Sequence, residues 1–205
     1  MVEFSQIIAG IAVCLVLAAY IPYMFDIVKG RVAPHPFSWL IWSMTATSIF
    51  FLQTTNGSGA GAYGTATVAV CASIIFVLAF RANKVKIRPL DITSLLLAVV
   101  GIILWIFVKQ PSLSIAILLT VEVIGFIPTL LNGWREPYKD SITLWSVNGM
   151  RQGLGLAAVQ NHNFVTVLNP IVWITLCAGY VLTLSYRRLF VKKHPARRRA
   201  FRPYN

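Results

Sequence analysis

Seven predominantly apolar stretches follow one another along this chain, at 5–28, 36–54, 61–80, 91–108, 111–133, 141–160 and 164–186. A helix crossing a ~30 Å hydrocarbon core needs about 20 mostly apolar residues, and each stretch is close to that length. The polar breaks between them have turn chemistry. Thr54-Thr55-Asn56-Gly57-Ser58-Gly59 parts the second stretch from the third, Gln110-Pro111 the fourth from the fifth, and Asn161-His162-Asn163 the sixth from the seventh. The pattern predicts an all-α integral membrane protein with seven transmembrane helices.

Shifted by 106 positions, the chain lines up with itself. Tyr20-Ile21-Pro22, Asp26, Lys29, Trp39 and Met44 fall on Phe126-Ile127-Pro128, Asn132, Arg135, Trp145 and Met150. Further on, Cys71-Ala72 and Phe80-Arg81 fall on Cys177-Ala178 and Tyr186-Arg187 without a gap. A repeat of this length in so apolar a chain marks a duplicated membrane bundle. The repeat is three spans long, so two copies joined directly would be inverted. The extra fourth span restores the direction and leaves the halves parallel. The expected layout is 3+1+3: a first three-helix bundle (1–83), a linker helix (84–110), a second bundle (111–188) and a basic tail (189–205). Two such bundles enclose a site on the axis between them.

Composition supports lipid as the solvent. Apolar residues make up 57% of the chain and charged ones 12%, about half the ~25% of ordinary globular domains. The net charge of +12 raises nucleic acid as a partner, but the basic residues sit between or after the apolar stretches. Of the 18 Lys and Arg, all but Lys109 and Arg151 fall in the first, third and fifth loops and the tail. By the positive-inside rule the amino terminus is then outside and the tail cytoplasmic. The first stretch is flanked by Glu3 and too long for a signal peptide. Short loops and no targeting segment suit a bacterial inner membrane. Cys14, Cys71 and Cys177 are odd in number and lie in apolar runs, so no disulfide framework follows.

Seven spans arranged 3+1+3, with Pro22 and Pro128 near the ends of the first helix of each half, resemble the PQ-loop superfamily and, within it, the SWEET-type transporters. Pro22-Tyr23 and Pro128-Thr129 stand where that superfamily carries Pro-Gln. The resemblance implies the fold and the transport class. It also implies a site Asn on the third helix of a bundle, a role for which Asn169 is placed, with Tyr63 at the repeat-related position.

Glu122 and Arg151 are the charged side chains well inside spans. At 1.5 Å per residue they lie about 16 Å from Pro111 and about 15 Å from Ser141, near the midplane. Charge at that depth is expected to face a bundle interior or water. Glu122 is a candidate for proton coupling and Arg151 for holding an anionic or hydroxyl-bearing solute; a buried structural ion pair is the other reading. Asn148 and Gln152 share a face near Arg151, and Gly149 and Gly153 form a small-xxx-small pair for close packing. Asn169 precedes Pro170 and can meet a ligand hydroxyl or the backbone carbonyl that the proline frees. Tyr63, Thr65 and Thr67 offer further polar contacts. Trp39, Trp42 and Trp145 are expected in an interfacial belt or, alternatively, against a ligand in the path. Pro22 and Pro128 are candidate hinges.

His35, His162 and His194 have no metal-ligand spacing, and no nucleophile–base set meets inside the membrane. No cofactor, metal or enzymatic activity is expected. The expected function is movement of a small polar solute, sugar-like or another small metabolite, by alternating access, passive or proton-coupled. The alternative is a non-transporting membrane receptor or assembly factor of the same fold. Expected partners are the solute and anionic headgroups at the basic tail, not nucleic acid; a homo-oligomer is left open.

Overall fold

Seven α-helices carry nearly all of the residues described by the computed structural model, which are 2–82, 89–108 and 110–191. They are α1 (Val2–Val28), α2 (Pro36–Thr55), α3 (Tyr63–Ala82), α4 (Pro89–Phe107), α5 (Pro111–Arg135), α6 (Ile142–Ala158) and α7 (Phe164–Phe190). Single 3-10 turns, Gly59–Ala62 and Pro137–Lys139, precede α3 and α6. Lys84, Lys86, Arg88, Lys109 and the tail from Lys192 onward, His194 included, lie outside the described residues.

Local chemistry sets the helix ends. Pro36 and Pro111 occupy first-turn positions where a missing N–H costs nothing. Ser141 Oγ accepts from Leu144 N at the start of α6. Asn163 and Thr166 form a reciprocal capping box at the start of α7. α1 stops because Gly30 takes a left-handed conformation (φ 68°), so that Gly30 N and Arg31 N close back on the carbonyls of Ile27 and Asp26. α1, α5 and α7 run on through Pro22, Pro128 and Pro170. α7 ends at Phe190, four residues beyond the stretch expected from the sequence.

Four helical stretches are long and apolar enough to cross a membrane: Phe4–Val28, Gly59–Ala82, Pro111–Arg135 and Phe164–Phe190. Leu95–Phe107 is a shorter apolar segment. α2 and α6 are more polar for a visible reason. They bury Ser38, Thr45, Ser48 and Gln53, and Asn148, Arg151 and Gln152, against their neighbours. The exterior is the reverse of a water-soluble surface: Phe4, Ile7, Val70, Leu96, Phe107 and Leu182 are each more than 60% exposed. An apolar outside around a polar inside is what a hydrocarbon solvent selects.

The packing is reciprocal. α3 lies on α1 and α2, and α7 lies on α5 and α6. α1 packs on α6, and α2 on α5, while α4 rests mainly on α5. Exchanging α1, α2 and α3 with α5, α6 and α7 turns the pairs among these six helices into one another. Gly125 permits the α2–α5 approach, since a Cβ there would sit 2.9 Å from Ile41 Cγ2. The loops meet in the same reciprocal way. At one end Ala33 N donates to Lys139 O, and Asn132 Nδ2 to Ala33 O. At the other end Asn163 Nδ2 donates to Asn56 O, and Gln160 N to Ser58 O.

Candidate functional site

Between the helices, α1, α2, α3, α5, α6 and α7 all contribute to one cavity of about 30 Å³. That is room for water-sized occupants. Nine of the residues singled out from the sequence, Trp39, Trp42, Thr65, Glu122, Trp145, Asn148, Arg151, Gln152 and Asn169, line it together. Their separation along the chain is large, and the reciprocal packing of α1 on α6 and α2 on α5 is what brings them to one place.

Glu122 is 2% exposed and well supplied with donors. Thr45 Oγ1 donates to its Oε1 at 2.9 Å, and Trp173 Nε1 donates to its Oε2 at 2.6 Å. Trp42 Nε1 donates to its backbone oxygen at 3.2 Å, which ties α2 to α5. Arg151, 4% exposed, donates from Nε to Asn148 Oδ1 at 2.9 Å. Asn148 is in turn fixed: Tyr20 Oη donates to Oδ1 at 3.4 Å, and its Nδ2 points at Cys177 Sγ at 3.4 Å. Gly64 gives Arg151 space, because a Cβ there would come within 3.1 Å of Nη1. No ion pair joins Glu122 to Arg151, so the structural pairing considered from the sequence is not formed.

Asn169 and Gln152 are 3% and 4% exposed, and the Oδ1 of Asn169 has no hydrogen-bond partner among the described residues. Tyr63 is a correction. It stands at the first position of α3, 51% exposed, and its side chain is not among those lining the cavity. Thr65, two residues on, points inward in its place. Gly149 serves packing, with Cys177 Cβ 3.3 Å from the position of a Cβ, whereas Gly153 faces open space.

The tryptophans do not form an interfacial belt. Trp39, Trp42 and Trp145 are 3%, 3% and 2% exposed, stacked into one aromatic layer. Ring centroids lie 5.3 Å apart for Trp39–Trp42, 5.7 Å for Trp42–Trp145, and 5.0 Å for Trp145–Tyr180. Edge-to-face contacts dominate, as the ring quadrupoles favour. Trp39, Trp42 and Trp145 line the cavity from the first halves of α2 and α6.

Beyond the layer stands Asp140, which sequence reading passed over as a loop residue. It is 6% exposed. Tyr23 Oη and Trp145 Nε1 donate to its Oδ1 at 3.3 and 3.1 Å, Ser141 N at 2.7 Å, and Tyr180 Oη to its Oδ2 at 2.8 Å. Burial pushes its carboxyl above the usual carboxylate range, and these four donors oppose the shift. One side chain thus ties α1, α6 and α7 together. Asp26, in the last turn of α1, pairs with Arg31 just beyond the helix.

Comparison with protein-family models, curated proteins and solved structures finds no match to this chain. The functional reading therefore rests on the cavity and its residues.

Proposed function

We propose that the protein is a membrane transporter that moves a small polar solute through this cavity by alternating access. In this reading α1–α3 and α5–α7 are two like-oriented three-helix units joined by α4, all seven helices cross the bilayer, and the loop end nearest Asp140 is cytoplasmic. The resemblance to SWEET-type PQ-loop proteins belongs to the same proposal.

One observation carries it: a cavity between two reciprocally packed halves is walled by Asn169, whose Oδ1 has no partner among the described residues, and by Arg151, of which only Nε is bonded. Leaving buried polar groups unpaired is unfavourable in a structural core. A site that fills and empties must leave them so. The closed loops at both ends fit an occluded state, with rocking of one unit on the other opening each end in turn.

The test is flux. Purified protein in proteoliposomes, screened with labelled small solutes, is expected to give saturable uptake and counterflow above protein-free vesicles. A bundle that moves no solute yet retains a tightly bound partner through purification is a receptor or assembly factor instead.

A further inference from the structure

Arg151 presents a fork of five N–H groups, and only Nε has a partner. Its terminal nitrogens have no hydrogen bond among the described residues, and the side chain lines the cavity. Glu122 does not neutralise it by contact, since its two oxygens are taken by Thr45 and Trp173. A buried cation without a counter-ion is strongly disfavoured, so the complement is expected from outside the chain. A second, independent observation points the same way: Asn169 Oδ1 is wholly buried in the same cavity wall and accepts from nothing. A ligand that satisfied both residues would offer acceptors to the Arg151 fork and a donor to Asn169.

We propose that the cavity binds a compact organic acid: a carboxylate that takes the Arg151 fork, bearing an adjacent hydroxyl or amino group that donates to Asn169. This deepens the transport reading and rests on it for the location of the site. A carboxylate matches the guanidinium in planarity and spacing, which a lysine-like point charge does not. A halide would leave Asn169 unsatisfied, and a neutral sugar would leave the cation unpaired. The cavity of about 30 Å³ favours the smallest members of the class and requires some widening to admit even these. Trp42 and Trp173 wall the site with apolar surface that keeps water from the pair.

The experiment is titration of the protein in nanodiscs with L-lactate, L-alanine, propionate, lactamide and glucose, followed by calorimetry and thermal shift. Lactate or alanine is expected to bind, and which of the two binds tighter separates hydroxyl from amino recognition. Lactamide, without the charge, and propionate, without the donor, are each expected to bind at least about tenfold more weakly. Arg151→Lys is expected to weaken the acid by about tenfold through loss of the fork. Asn169→Ala, which leaves the cation in place, is expected to erase the preference for lactate over propionate. Lactamide or glucose binding as tightly as the acids overturns the proposal, as does the absence of binding by either acid or an unchanged preference in Asn169→Ala. Flux of a neutral solute without acid binding removes the anion site and leaves the transporter. Acid binding without any flux removes the transporter and leaves the site.

Discussion

Glu122 on α5 and Arg151 on α6 open onto one cavity without forming an ion pair, from helices that meet through the rings of Phe126 and Trp145. Each is held by a neutral neighbour instead: Glu122 by Thr45 and Trp173, Arg151 by Asn148. Opposite charges kept apart in a low-dielectric interior are a stored asymmetry, and a solute or a proton entering between them changes the balance.

Glu122→Gln tests the proton. The amide oxygen keeps the indole N–H of Trp173, and its NH2 can donate to Thr45 Oγ1, which donates to Ile41 O. The expected stability cost is at most about 1 kcal/mol. Uptake driven by a pH gradient is expected to disappear while solute exchange at equal pH remains. If pH-driven uptake survives unaltered in proteoliposomes, coupling runs through another group.

Tyr23 and Asp140 test the closure of the end that carries the α1–α2 and α5–α6 loops. Their hydrogen bond spans 117 positions and joins α1 to the segment before α6. Tyr23→Phe is expected to lower stability by about 0.5–1.5 kcal/mol. Asp140→Ala strands the donors of Tyr23, Ser141 and Trp145, while Tyr180 Oη keeps Thr129 O, and is expected to cost about 3 kcal/mol or more. Thermal unfolding of the two variants, side by side, reads the difference; equal melting temperatures would show that the carboxylate ties nothing together.

The same carboxyl sets a pH dependence. Burial raises its folded value above that of the unfolded chain, so the folded protein holds the proton more tightly. Its contribution is fully present below about pH 3.9, the ordinary Asp value, and is lost as pH rises through the folded value. A melting-temperature series against pH is expected to fall over that window, and to flatten in Asp140→Asn. A slope that the substitution leaves intact belongs to other groups.

Two glycines give a contrast. A Cβ at Gly133 would collide with the Tyr180 hydroxyl that Asp140 holds, whereas one at Gly153 meets nothing within 4 Å. Gly133→Ala is expected to destabilise by about 1–3 kcal/mol. Gly153→Ala, in an open helical position, is expected to be neutral or stabilising by up to about 1 kcal/mol. Chemical or thermal denaturation of the pair decides; a reversed order contradicts the close approach of α5 and α7.

Much of the helical framework was legible in the sequence, because a change from apolar run to turn residues is a local signal. The seven helices lie within a few residues of the stretches read from the pattern. Glu122 and Arg151 were legible for an energetic reason: charge in an apolar run has few places to go. Tyr63 misled because repeat position was allowed to stand for direction; at the first position of α3 it faces outward, and Thr65 takes the inner place. Trp173 and Thr45 were hidden because an indole or a hydroxyl is unremarkable in an apolar span until its partner is known. Asp140 gave no signal at all, since its meaning lies in Tyr23 and Tyr180, distant in sequence and adjacent only after α1, α6 and α7 pack.

The most direct measurement is side-selective thiol labelling at the cavity wall. With Cys14, Cys71 and Cys177 replaced by alanine, Ala46→Cys places one thiol on that wall, where Ala46 is 5% exposed. Alternating access predicts that a membrane-impermeant reagent modifies it when applied from either face of the vesicle, at rates that solute shifts in opposite directions. Modification from neither face, or from one face alone whatever solute is present, would contradict it.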